Sequence, residues 1–179
     1  FPALEAEEYF PITFVEPLAA NLSALGLDPA SLPTTARAID ASRRTGMPVA
    51  SEAIRLVQEE QVQRGVVVYL AAFGKTTGPD QPRPLLGVVS GAFRMDDSMT
   101  TARELAKRTG IELCLIDADG SPDNRRLSGA AGCETDAWLH KGVRRALPIL
   151  FAGRNWELRL SATPEYIAGM RSWAAWSTV

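Results

Sequence analysis

Nine consecutive residues, Gly65-Val-Val-Val-Tyr-Leu-Ala-Ala-Phe73, contain no charge and a single hydroxyl, and no other stretch constrains the fold as tightly. Successive side chains of a strand point to opposite faces, so a run that is apolar at every step must be covered on both sides. Its β-branched and aromatic content favours a strand over a helix. The preceding Ala53-Ile-Arg-Leu-Val57 is shorter, and a polar Gln/Glu-rich turn joins the two, which predicts an antiparallel hairpin. Lys75 to Arg83, dense in Gly, Pro, Thr and Asp, ends the run in a loop.

The flanks supply the cover. Tyr9-Phe-Pro-Ile-Thr-Phe-Val15 is aromatic and β-branched and predicts an extended segment, with Pro11 and Pro17 marking an edge strand or one with irregular ends. Ser31 to Thr45 predicts a helix: Ser-Leu-Pro caps it, Ala36, Ile39 and Arg43 step at helical spacing, and Gly46 ends it. The second half follows the same plan without an exact sequence repeat. Leu85-Leu-Gly-Val-Val-Ser-Gly-Ala-Phe93 predicts a strand whose two glycines would let a ligand or another backbone come close. Asp96-Asp97-Ser98 offers an acidic, capping start for a helix with Met99, Ala102, Leu105 and Ala106 on one face and Gly110 at its end. Strands are expected at Ile111 to Asp117, Pro148 to Phe151 and Trp156 to Ser161. In the last, Trp156, Leu158 and Leu160 face one way and Glu157, Arg159 and Ser161 the other. Thr163-Pro164-Glu165 then opens a final helix toward Trp173 and Trp176. Two halves, each of antiparallel strands with a helix, make the expected class α+β.

Composition narrows the function. Of 179 residues 46% are apolar, enough for a packed core and unlike a disordered chain. The formal charge is -2, and the Arg pairs at Arg43-Arg44, Arg125-Arg126 and Arg144-Arg145 are scattered, so no stripe exists to neutralise phosphates and nucleic acid is not an expected partner. No apolar run approaches the roughly 18 to 20 residues of a membrane span, and Phe1 to Phe10 lacks the sections of a signal peptide. Without an initiator Met, the sequence reads as a piece excised from a longer protein. Cys114 and Cys133 are the only cysteines, too few for a disulfide framework and at no metal-site spacing. A mutual disulfide in an oxidising compartment and two inert thiols both remain open.

No catalytic constellation emerges. The single histidine, His140, would have to serve any Ser-His-Asp or Cys-His arrangement, and no serine sits in a nucleophile-elbow motif. Asp117-Ala-Asp119-Gly120-Ser-Pro-Asp123 resembles a calcium loop only superficially: the glycine falls too early, Ser128 stands where a bidentate Glu is required, and a turn after a strand explains the residues. Gly74-Lys75-Thr76 ends like a phosphate loop, but Tyr69 occupies the position of its first glycine. Glu59-Glu60 and Asp96-Asp97 read as a solvated turn and a helix start. Neither a metal nor a cofactor is expected. What remains is a small-molecule pocket along the glycine-bearing strand, a pattern that ordinary core packing also produces.

Glu8-Tyr-Phe-Pro-Ile-Thr-Phe-Val-Glu-Pro17, Ala24-Leu-Gly-Leu-Asp28, Arg44-Thr45-Gly46-Met-Pro-Val49 and Leu56-Val-Gln-Glu59 before Gly65-Val-Val-Val-Tyr together resemble a bacterial CHASE domain. Leu86-Gly-Val-Val-Ser-Gly-Ala-Phe93, the helix after it and Ile111 to Asp117 resemble the family's membrane-proximal module. The resemblance covers nearly the whole chain. It implies an α+β fold of two PAS-like modules with antiparallel sheets and flanking helices, at residues 1–84 (membrane-distal, ligand-binding) and 85–179 (membrane-proximal). It also implies an extracytoplasmic, periplasmic sensor, itself no enzyme, flanked by transmembrane helices and homodimeric in the full receptor. The cytoplasmic output would be a histidine kinase or a cyclic-dinucleotide enzyme. The long N-terminal helix of the family, which usually mediates dimerisation, is not visible in the sequence.

Plant relatives bind cytokinins, and by that resemblance the ligand here is a small molecule of cytokinin-like or adenine-like type. The adenine-pairing aspartate corresponds to Asp28, whose ionised carboxylate accepts only and so suits N–H donors. A second, backbone contact corresponds to Ala50, and pocket walls to Leu56, Leu70, Gly91 and Phe93. The threonine that meets the cytokinin tail corresponds to Glu59 or Glu60, an anion that would not tolerate an apolar tail beside it without a partner. A plain turn aspartate, capping backbone N–H groups, is the alternative role of Asp28. A periplasmic protein-interaction or dimerisation module with a filled core is the alternative to the sensor as a whole.

Overall fold

The computed structural model describes residues 7–55, 64–76, 78, 81–139 and 142–174. It resolves into two units: Phe1–Phe93 with Phe151–Arg154 (unit 1), and Arg94–Leu150 with Asn155–Val179 (unit 2). In unit 1, helix α1 (Leu18–Asn21) and 3-10 turns at Leu22–Ala24 and Pro29–Ser31 lead into helix α2 (Pro33–Thr45). The sheet comprises β1 (Val49–Ala50), β2 (Ile54–Arg55), β3 (Arg64–Phe73) and β4 (Leu85–Arg94). The nine-residue run forms its spine. β1 and β2 pair antiparallel with successive stretches of β3, Val49 opposite Tyr69 and Ile54 opposite Gly65, and β4 also pairs with β3.

The register slips by one residue between β1 and β2, and Ser51 accommodates the slip. Its amide donates to the Val67 carbonyl at 2.8 Å, while its Oγ accepts the Val67 N–H at 3.2 Å, a place normally taken by a backbone carbonyl. Ser42 of α2 does similar work further along, its buried Oγ accepting from Ala71 N at 2.9 Å and donating to Met47 O at 2.9 Å. α2 begins at a proline and ends at Gly46, whose φ of 67° is the left-handed turn the sequence predicts. Its face of Thr35, Ala38, Ile39 and Ser42 is buried, and Ala38 and Ile39 pack on Val67 and Tyr69 with Phe10, Ala30, Val49, Ile54 and Val88 around them.

Tyr9 to Val15 is not a strand. Two backbone bonds, Ile12 N to Leu27 O and Gly26 N to Ile12 O, both 2.9 Å, tie it to a turn instead of a ladder. Pro11 lacks the N–H that a longer ladder would need.

Unit 2 comprises α3 (Met95–Arg108), β5 (Ile111–Asp117), β6 (Arg126–Ser128), α4 (Asp136–Leu139), β7 (Arg144–Phe151), β8 (Arg154–Ala162) and α5 (Pro164–Ala174). Its sheet runs β6-β5-β8-β7. β5 and β8 pair without a slip from Ile111 opposite Ala162 to Asp117 opposite Trp156. α3 starts one residue before the expected cap, with Asp96 and Asp97 inside its first turn, and Asp96 accepts from Ser128 Oγ at 2.7 Å. Its expected apolar face is not buried. Met95 alone is, and Leu105 is 64% exposed, because helical spacing marks a face without supplying anything to cover it. Asp119 secures the turn after β5 by accepting from Asn155 N at 2.7 Å. Thr163 Oγ1 caps α5 by accepting from Tyr166 N. The α+β class, with antiparallel sheets and flanking helices in both units, is as expected. No helix among the described residues is long and apolar enough to cross a membrane.

Candidate ligand site

Asp28 opens the 3-10 turn before α2. Its Oδ1 accepts from Ala30 N at 2.9 Å and from Phe10 N at 3.2 Å, so one carboxylate oxygen is fixed by two backbone amides. This is the capping role that the residue type allows. Oδ2 makes no hydrogen bond among the described residues and keeps its accepting capacity. Tyr69 of β3 is hydrogen-bonded to Thr35 at the start of α2. Burial pushes its phenol up to about 12, and the hydrogen bond with Thr35 offsets part of that rise. Thr35 Oγ1 is itself bonded to the carbonyls of Pro29 and Leu32, which ties the turn carrying Asp28 to the sheet.

The other predicted residues lie elsewhere. Strand alternation puts Val67 and Tyr69 under α2 and Leu70, 39% exposed, on the opposite face. On β4, Val88 packs under α2, so Gly91 and Phe93 turn away from it. A Cβ on Gly91 would touch the Phe93 ring at 3.6 Å, and that ring meets Phe151 edge-on with centroids 6.2 Å apart. Ala50 is buried, and its N–H is already taken by Ala152 O at 2.8 Å. Leu56, Val57, Glu59, Glu60, His140 and Trp176 lie outside the described residues, as does the side chain of Trp173. The structure therefore does not gather Asp28, Leu70, Gly91 and Phe93 around one void. The space under α2 is filled by Ile39, Val67 and Tyr69, because a side chain large enough to line a pocket from β3 is also large enough to plug it.

A cleft of about 200 Å³ runs between α2 and β1, lined by Thr34, Arg37, Ala41, Val49, Ala50 and Glu52 together with Gly153 and Arg154. Ala50 is the predicted residue it includes. A second cleft, about 800 Å³, lies in unit 2 among Glu112, Arg144, Ser161, Ala162, Ile167 and Ala168.

A family model, the CHASE domain, matches residues 1–127 of this sequence. The chain belongs to the CHASE family. CHASE domains are extracytoplasmic sensor modules of membrane receptors. Among solved structures, the ligand-binding domain of the Pseudomonas fluorescens chemoreceptor CtaA is 18% identical in its complexes with L-isoleucine and with L-leucine. The TM-scores are 0.49 and 0.47, and the matches cover 81% and 78% of this chain. The ligand-binding domain of the Pseudomonas aeruginosa PAO1 amino acid chemoreceptor PctC, in complex with GABA, is 14% identical over 75% of this chain with a TM-score of 0.44. This CHASE domain spans 62% of the length of each of those chains. No curated protein matches the sequence.

The CHASE domain carries a second group of polar residues that the sequence reading left unassigned. Cys114 and Cys133 form a disulfide, which staples the segment between β6 and β7 to β5. Arg159, 4% exposed, donates from Nη1 to the carbonyls of Cys133 and Thr135, both at 2.8 Å, and from Nε to Glu157 Oε1 at 2.5 Å. Its guanidinium and that of Arg144 lie 5.8 and 4.2 Å from the centre of the Trp138 ring. The alternation along β8 is therefore as read, but the polar side, Arg159 and Ser161, is buried instead of wet. Alternation along the strand places Arg159 on its polar side and carries no sign that this side is covered.

Proposed function

We propose that this CHASE domain is the ligand-reading part of a receptor anchored by flanking transmembrane helices, with a histidine kinase or cyclic-dinucleotide enzyme as its output. In this reading unit 1 is the membrane-distal module and binds a small molecule, and unit 2 is the membrane-proximal module. Family membership over a match that includes all of β1 to β4 carries the proposal. Asp28 gives it a chemical focus. Two amides hold Oδ1, so the carboxylate is pre-oriented and Oδ2 is left to accept from a ligand N–H, as an adenine-type ring would offer. Ala50 and the α2–β1 cleft would take the body of the ligand, and Leu56 and Glu59 would complete the contacts. The filled interior favours a small, largely planar ligand over a bulky one.

The Asp28→Asn variant tests this directly, because asparagine retains the capping acceptor while replacing the second oxygen by a donor. Adenine is expected to raise the melting temperature of the wild-type domain and to leave that of Asp28→Asn unmoved. An equal rise in both removes Asp28 from the site. No rise with adenine, and none across a metabolite panel, would favour the other reading, a protein-interaction or dimerisation module. Exposed Leu86 and Phe93 on β4 speak for that reading, and sedimentation at rising concentration would reveal it.

A further inference from the structure

From the geometry of unit 2 we infer a second binding site, for a small monocarboxylate, with the Arg144 guanidinium as its anchor. Two observations carry it. Arg144 Nε and Nη1 are both buried and have no hydrogen-bond partner among the described residues, and Arg144 borders the cleft of about 800 Å³ between the β5–β8–β7 sheet and α5. Buried donors are almost always satisfied, and leaving one unpaired on a charged group costs more than leaving a neutral one. The contrast with Arg159 sharpens the point. That neighbour is buried as a whole, where Arg144 is half-buried, and spends its Nε and Nη1 on Glu157, Cys133 and Thr135. Among the described residues Arg144 has only the face of Trp138, which attracts the cation but accepts none of its in-plane N–H groups.

The surroundings define the ligand. A guanidinium held against an aromatic face keeps its N–H groups in one plane, and an anionic oxygen is the acceptor that matches both its donors and its charge. Ile167, Ala162 and Ala168 offer apolar wall for a short aliphatic body, and Ser161 adds a hydroxyl. Glu112 lines the same cleft, so a second carboxylate on the ligand would meet a like charge. A monocarboxylate is therefore favoured over a dicarboxylate. The site lies wholly within unit 2 and is independent of the Asp28 proposal, which can fail without touching it.

Butyrate is the probe and succinate the control. Titrating butyrate into the ¹⁵N-labelled domain should move the Arg144 Nε–H resonance in a saturable way, while succinate at equal ionic strength should bind at least about tenfold more weakly. Arg144→Gln should weaken butyrate by at least about tenfold, the loss expected for a charge-assisted hydrogen bond. Ala168→Trp, at an exposed position that fills the cleft, should block binding while the far-UV spectrum and the melting curve stay wild-type. Butyrate shifts that are unchanged in both variants, or an Arg144 resonance that never moves, would overturn the inference. Equal binding of butyrate and succinate would overturn the role given to Glu112 and with it the monocarboxylate class.

Discussion

The two units bury polar groups by different means. In unit 1 the groups that close the core are hydroxyls: Ser42 and Ser51 substitute for backbone partners along β3, and Thr35 joins Tyr69 to the turn before α2. Each is small and neutral and is satisfied where it stands, so desolvating it costs little once its bond is made. Unit 2 buries a guanidinium instead, brackets it with Glu157 and two carbonyls, and fastens the covering segment with a disulfide. A charge in a low-dielectric interior is stable only while every partner holds its place. Unit 1 is therefore expected to lose stability in small increments under substitution, and unit 2 in large ones.

Arg159→Ala is the hardest test of that difference. It strands two carbonyls and Glu157 and opens a hole beside Trp138, so a loss of about 3–5 kcal/mol is expected. Because the chain has two units, amide exchange read residue by residue is the right measurement: exchange should accelerate in β5 and β8 far more than in β3. A loss below about 1 kcal/mol, or one shared equally by both units, would erase the contrast. Next in size is the double variant Cys114→Ala with Cys133→Ala. With the cysteines 19 positions apart in sequence, chain-entropy reasoning gives about 3 kcal/mol. That loss too should be confined to unit 2. If removing the disulfide leaves the exchange of Cys133–Trp138 amides unchanged, the Arg159 contacts alone hold the segment.

Why some elements were easier to read than others follows from local chemistry. α2 and β3 announced themselves because local rules agree there: an unbroken apolar run, a proline at the helix start, a glycine at the helix end. Tyr9 to Val15 misled because its aromatic and β-branched residues satisfy strand propensity, which says nothing about whether a partner strand is present. Leu105 misled in the same way, since periodicity marks a face and tertiary context decides what covers it. The candidate site was less legible than the fold. Asp28 could be singled out, but whether Leu70 and Phe93 share its side of the sheet depends on strand parity and on Val88, which only the packing reveals. Arg159 and Trp138 are 21 residues apart in sequence and meet through the sheet, a pairing that spacing does not encode.

Tyr69→Phe makes the smallest prediction and speaks for unit 1. Near neutral pH it removes the bond with Thr35 and little volume, so about 1 kcal/mol should be lost. Alkaline pH supplies a signature that a packing defect would not mimic. Burial is the main cause holding the Tyr69 phenol near 12, against an ordinary value of 10.0. Below pH 10 the phenol is protonated whether the chain is folded or not, and its contribution to stability is complete. Between 10 and about 12 the unfolded chain ionises first, and stability falls by roughly 2–3 kcal/mol. Phenylalanine cannot ionise, so the deficit of Tyr69→Phe should shrink above pH 10 and reverse in sign as 12 is approached. Denaturation midpoints of the two proteins, compared from pH 8 to 12, would then cross. Parallel curves would mean that Tyr69 reaches solvent in the folded state, and that the interior under α2 is more open than its packing indicates.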